Sequence, residues 1–253
     1  MAWRLTTFYP EYLYQLAALL RDPVYQGRDT PKGQGQSVLL IPGFLAGDWT
    51  LGIMAGWLDR IGYRTYFSGI DWNIDCPNKT GEKLQWRLEH IAKETGSPLT
   101  VIGHSLGGLL ARFLGANFPE HVHQVVALGS PLDVSNPVSV HPLVRSAFHL
   151  LAPLRRLRGP TFRRCGSMDC SCHFAKTAFS LLPPTVSFTS IFSKNDEVVD
   201  WRASVDPQGT NIEVTGRHIG LIVNREVYQA VAESLAGNAM EDQFSNSAKP
   251  LAL

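Results

Sequence analysis

Apolar and polar positions alternate between two periods along this chain. "SVLLIPG" (37–43) is a short continuous apolar run closed by Pro-Gly, the pattern of a strand buried on both faces. "TLGIMAGWLDRIG" then follows at helical spacing, "YRTYFSGI" as a second strand, and "GEKLQWRLEHIAKETG" as a longer helix. The rhythm repeats in strand "LTVIGHS", helix "LGGLLARFLGANFP" stopped by Pro119, and strand "VHQVVALGSP". It fails from Pro131 to about Pro184 and resumes with "TVSFTSIFSKNDEVVD", "TNIEVTGRHIGL" and the helical "NREVYQAVAESLAG". Strands that alternate with helices predict an α/β class: a mainly parallel sheet with helices on both faces. The irregular stretch, 131–184, reads as a cap or lid inserted over the carboxyl edge of that sheet.

Ahead of the sheet, residues 1–36 read as a helix and a connection, because Leu13, Leu16, Ala17 and Leu20 recur at helical spacing and "QGRDTPKGQGQ" is polar and Gly-rich. The main domain is expected over 37–236, and 237–253 as a flexible tail. Within the insertion, "LVRSAFHLLAPL" has the periodicity of an amphipathic lid helix. Leu143, Ala147 and Leu150, with Val144 and Leu151, fall on one side and are candidate substrate-binding positions.

Composition narrows the function class. Twenty-three Lys and Arg against 22 Asp and Glu leave a net charge of +1, so no global field favours nucleic acid. No run approaches the roughly 18–20 apolar residues of a membrane span. The first residues lack a basic n-region and a small-residue cleavage site, which predicts a cytoplasmic protein, with peripheral membrane contact through the first helix left open. Five arginines between 155 and 164 read as a solvated face or as attraction to anionic lipid or phosphate-bearing substrates. Cys165, Cys170, Cys172 and His173 have spacing C-x4-C-x-C-H, which matches no paired zinc motif, so no metal is expected. A disulfide within that cluster or from it to Cys76 is one reading; free thiols in a reducing compartment are the default.

The chemistry-bearing stretch is "GHSLG" (103–107), at the junction of a predicted strand and helix. A chain that turns this sharply lifts Ser105 to the carboxyl edge of the sheet, with small residues on both sides to avoid collision and a helix N-terminus behind it. A serine hydroxyl needs a base, and His218 follows the last predicted strand at the same edge. The base needs an acid to hold its tautomer: Asp196 follows the preceding buried strand directly, and Asp200 is the main competitor, with Glu197 and Asp206 nearby.

The chain order Ser, Asp, His, with "LLIPGF", "GHSLGG", "LGSPL", "SKNDEVV" and "GRHIGL", resembles the α/β-hydrolases of the lipase and esterase group over about residues 37–235. That resemblance implies an α/β-hydrolase fold and a serine hydrolase cleaving carboxylic esters with hydrophobic acyl groups. It implies a catalytic triad of Ser105, Asp196 and His218, and an oxyanion hole from the backbone N–H of Leu106 and of Phe44 or Leu45. The partner is a small-molecule or lipid-like ester, and no cofactor is required. Thioesterase or acyltransferase chemistry with the same residues, and a catalytically silent binding protein, are the alternatives.

Overall fold

A computed structural model describes residues 8–133, 139–151 and 172–247. Among the described residues six parallel strands form one sheet in the order β2-β1-β3-β4-β5-β6. They are β1 (Ser37–Ile41), β2 (Arg64–Phe67), β3 (Leu99–His104), β4 (Val122–Leu128), β5 (Ser187–Ser193) and β6 (Thr210–Val214). Among the described residues the helices are α1 (Phe8–Arg21), α2 (Gly52–Arg60), α3 (Pro77–Thr95), α4 (Leu106–Asn117), α5 (Pro142–Leu150), α6 (His173–Thr177) and α7 (Arg225–Ser247).

The apolar runs become the central strands for a physical reason. Every residue of β1 and β3 is buried, since helices cover both faces of the sheet. One face packs Leu40, Ile102, Val126 and Leu128 against α1, α2, α7 and the 3-10 turn Ile219–Val223. The other packs Leu39, Ile41, Val101 and Val125 against α3, α4 and α6. At roughly 1.5–3 kcal/mol for each fully buried aliphatic side chain, these two cores fix the strand register and with it the positions of the loops at the carboxyl edge. Edge strand β2 is short and carries exposed Arg64, which limits pairing with another chain. Helix α3 begins with Pro77 and ends at Gly96 in the left-handed region, the residues best suited to those two ends.

One segment differs from the sequence expectation. Helix α7 continues through 237–247, where a flexible tail was expected, because "NAMEDQFSNS" contains no proline and no glycine beyond Gly237 to stop it. Where the structure describes it, the insertion is joined to the loop after β5. Val140 pairs antiparallel with Val199, His141 N–H donates to Val198 O at 2.7 Å, and Asp200 N–H donates to Ser139 O at 2.9 Å.

The returning end of the insertion is also fastened. Arg112, on the face of α4, forms a buried ion pair with Asp206, donates to Ser180 O at 3.1 Å, and lies over the Phe188 ring. Both charged side chains are almost fully removed from solvent, so removing one strands the other. Asp206→Ala is expected to lower the unfolding free energy by about 3–5 kcal/mol, read from urea denaturation. The double change Arg112→Met with Asp206→Leu should recover most of that loss.

Candidate active site

Ser105 adopts φ 54 and ψ −119 between β3 and α4, a conformation that non-glycine residues seldom hold. Its neighbours make the turn possible. A Cβ on Gly103 would lie 2.1 Å from Gly107 O, and one on Gly107 would lie 2.2 Å from Ile41 O. Ser105 N–H donates to Leu128 O at 2.8 Å, tying the turn to the end of β4. Leu106 opens α4, so its backbone N–H belongs to the first helical turn, which has no acceptor within the helix.

Ser193 closes β5 and donates to Gly216 O at 2.6 Å, which links the acid loop to the histidine loop. Asp196 Oδ1 accepts the Val198 and Val199 N–H groups, each at 2.8 Å, and Oδ2 lies 2.7 Å from His218 Nδ1. The two side chains are 2% and 6% exposed respectively. With Nδ1–H donated to Asp196, the other ring nitrogen keeps its lone pair. Burial pulls the His218 pKa down, but the Asp196 charge and hydrogen bond, together with the Glu197 charge, outweigh it and leave the pKa raised.

The competing acids have partners other than the His218 ring. Asp200 caps the turn Trp201–Ser204 by accepting Arg202 N–H at 3.0 Å and faces the Arg202 guanidinium at 3.4 Å. Asp206 is held by Arg112. Glu197 Oε2 accepts the His218 backbone N–H at 3.2 Å.

Three residues at the site lacked a functional signal in the sequence reading. His104, beside Ser105, places its ring 4.8 Å from that of His218, tilted by 41°, and donates Nε2–H to His218 O at 3.0 Å. It thereby ties the serine turn to the histidine loop. Burial first, and then the His218 charge, push the His104 pKa down to about 3, so the ring stays neutral. Gly129, at φ 54, is the second: a Cβ there would lie 3.1 Å from Asp196 Oδ2 and 2.7 Å from Leu221 Cδ1. Asn73 is the third. Buried in "DWNIDC", it donates Nδ2–H to Pro42 O at 2.9 Å, donates its backbone N–H to Ala46 O at 2.7 Å, and accepts Leu45 N–H at 3.1 Å. Leu45 N–H is therefore committed to Asn73 O.

The segments joined by Asn73 and Leu45 carry exposed apolar side chains. Leu45, Trp49 and Trp72 are exposed, the tryptophans by 66% and 59%, with their rings edge-on at 6.0 Å. Leu143 and Leu150 of α5 also face solvent, and Ala147 is half-buried. Cys76 is disulfide-bonded, which sets aside a free thiol there. Cys165, Cys170 and the five arginines lie outside the described residues. No cluster of three metal-ligating side chains and no helix long and apolar enough to cross a membrane occurs among the described residues.

Comparison with known proteins agrees with this architecture. Residues 91–164 match the family model described as the alpha/beta hydrolase fold, a span that includes Ser105 but neither Asp196 nor His218. A triacylglycerol lipase of Burkholderia plantarii is 28% identical over 118 residues, 43% of this chain and 33% of that protein. One from Pseudarthrobacter phenanthrenivorans is 29% identical over 112 residues, 41% of this chain and 35% of that one. Each match spans about a third of the relative's length. Among solved structures, a Bacillus licheniformis lipase in mature form superposes with a TM-score of 0.58 at 14% identity, over 82% of this chain and 94% of that one. A Paleococcus ferrophilus monoacylglycerol lipase gives 0.53 at 18%, over 82% and 96%.

Proposed function

We propose that this chain, which has the α/β-hydrolase fold, is a serine hydrolase of carboxylic esters with hydrophobic acyl groups. The observation that carries the reading is the buried Asp196–His218 pair at 2.7 Å, bound through His104 to the strained turn that presents Ser105. The similar proteins named as lipases support an ester as the substrate class.

In this mechanism His218 accepts the Ser105 proton as the hydroxyl attacks the ester carbonyl. The backbone N–H groups of Phe44 and Leu106 hold the oxyanion, and the protonated His218 then gives its proton to the leaving alcohol. Water, deprotonated by His218, attacks the acyl-serine and releases the acid. Asp196 holds the ring tautomer and stabilises the imidazolium. Asn73 keeps the Phe44 loop in place through its three bonds to Pro42, Leu45 and Ala46.

Leu45, Trp49 and Trp72 favour a lipid-like ester and peripheral contact with a lipid surface, since tryptophan partitions to such interfaces. The solvent-facing Leu143 and Leu150 fit the same surface, with α5 as the lid. The disulfide at Cys76 fits an oxidising compartment better than the reducing one expected from the N-terminal sequence.

The test is hydrolysis of p-nitrophenyl esters from acetyl to palmitoyl, with matched acyl-CoA thioesters and fluorophosphonate labelling mapped to its residue. The expected result is a label on Ser105 and a preference for longer oxygen esters. A maximum at acetyl would remove the acyl-binding surface, a thioester preference would select the alternative chemistry, and a folded protein that neither labels nor turns over would be a binding protein.

A further inference from the structure

Beyond that reading, and resting on it, we propose that Glu197 is a second carboxylate of the site: a positioning residue that holds His218 from its backbone side and whose charge sets the pH at which His218 becomes a base. Two consecutive acids after β5 reach the same histidine from different directions. Asp196 takes the ring at Nδ1, and Glu197 Oε2 takes the backbone N–H at 3.2 Å.

The two carboxylates are not equally provided for. The second oxygen of Asp196 accepts two backbone N–H groups, whereas Glu197 is half-buried and its Oε1, which is itself buried, has no hydrogen-bond partner among the described residues. A neutral acceptor such as glutamine could take the His218 N–H equally well and would be cheaper to bury, since a buried carboxylate oxygen with no donor is a standing cost. A structural role alone leaves that cost unexplained. A charge beside His218 explains it, because the negative carboxylate favours the imidazolium that forms when Ser105 gives up its proton.

The groups that face His218 define where the effect appears. Asp196 lies at the ring, Glu197 at the backbone N–H, and neutral His104 across the ring and at the carbonyl oxygen. Arg217, next in the chain, pairs with Glu11 of α1 at 2.8 Å. Burial raises the Glu197 pKa, and the Asp196 charge adds to that, against its own backbone hydrogen bond, the bond from His218 and the His218 charge. Glu197 is negative on the neutral side of its titration and raises His218; replacing it with an uncharged residue lowers His218 and moves the acid limb of kcat/KM to lower pH.

The experiment compares kcat/KM against pH for the full chain, Glu197→Gln and Glu197→Ala, with the His218 imidazole titration followed by NMR. Glutamine keeps the acceptor and loses the charge: its acid limb and its imidazole titration are expected to move down by about half a unit to one unit. Alanine loses both, so it should show the same shift plus a fall in plateau kcat of about tenfold at little changed KM. Superimposable limbs and titrations for the wild type and Glu197→Gln would overturn the proposal, even if Glu197→Ala lost activity or failed to fold. Loss of the serine reading is distinguishable, because it would appear as fluorophosphonate labelling away from Ser105, whatever the Glu197 variants do.

Discussion

Ser105→Ala is expected to lower kcat by about 10⁶-fold while leaving the fold intact. Alanine keeps the Cβ that already fits the turn and removes only the hydroxyl, so the positive φ at this position is no harder to hold than before. The strain itself gives a second, independent readout. A non-glycine residue in such a region costs on the order of 1–3 kcal/mol, which glycine largely avoids. Ser105→Gly should therefore be equally inactive yet melt a few degrees above Ser105→Ala, with part of the gain offset by the greater freedom of glycine in the unfolded chain. Thermal denaturation and ester turnover on the two variants check both halves. Activity of Ser105→Ala within tenfold of the wild type would take the nucleophile role from Ser105.

Much of this architecture is legible in the amino-acid sequence, for reasons that individual segments show. "SVLLI" and "LTVIGH" could be read as doubly buried strands because burial on both faces leaves no polar alternation, and the structure buries every residue of both. The strand-to-helix turn at Ser105 was legible because it needs small neighbours within two positions, a purely local demand. Asp196 stood beside Asp200 as an open choice, since four residues of separation say nothing about which carboxylate meets a histidine 22 positions further on. The roles of His104, Asn73 and Gly129 depend on contacts made across the sheet edge between segments far apart in the chain, and no periodicity encodes those. The extension of α7 was missed because its polar, low-hydropathy residues read as solvent-exposed chain, although a stretch without proline can continue an established helix at little cost. The fold class agrees with the solved structures that superpose on this chain.

The remaining choice between acids yields the second large effect. Asp196→Asn is expected to reduce kcat/KM by about 10⁴-fold at neutral pH, because an amide can donate to Nδ1 and stabilise the wrong tautomer of His218. The pH profile should move as well. His218 is raised partly by the Asp196 charge and its hydrogen bond, so in Asp196→Asn the imidazole loses its proton at lower pH and the acid limb shifts down. Lower activity together with a limb at lower pH separates a tautomer defect from simple unfolding, which would shrink the profile without moving it. Asp200→Asn provides the contrast. That carboxylate accepts Arg202 N–H at the start of a 3-10 turn, a role that asparagine also fills, so its kcat/KM should stay within about twofold of the wild type. If Asp200→Asn caused the large loss and Asp196→Asn did not, the acid would have to be reassigned, and the proposed role of Glu197 would fall with it, since the two carboxylates act on His218 as consecutive residues of one turn.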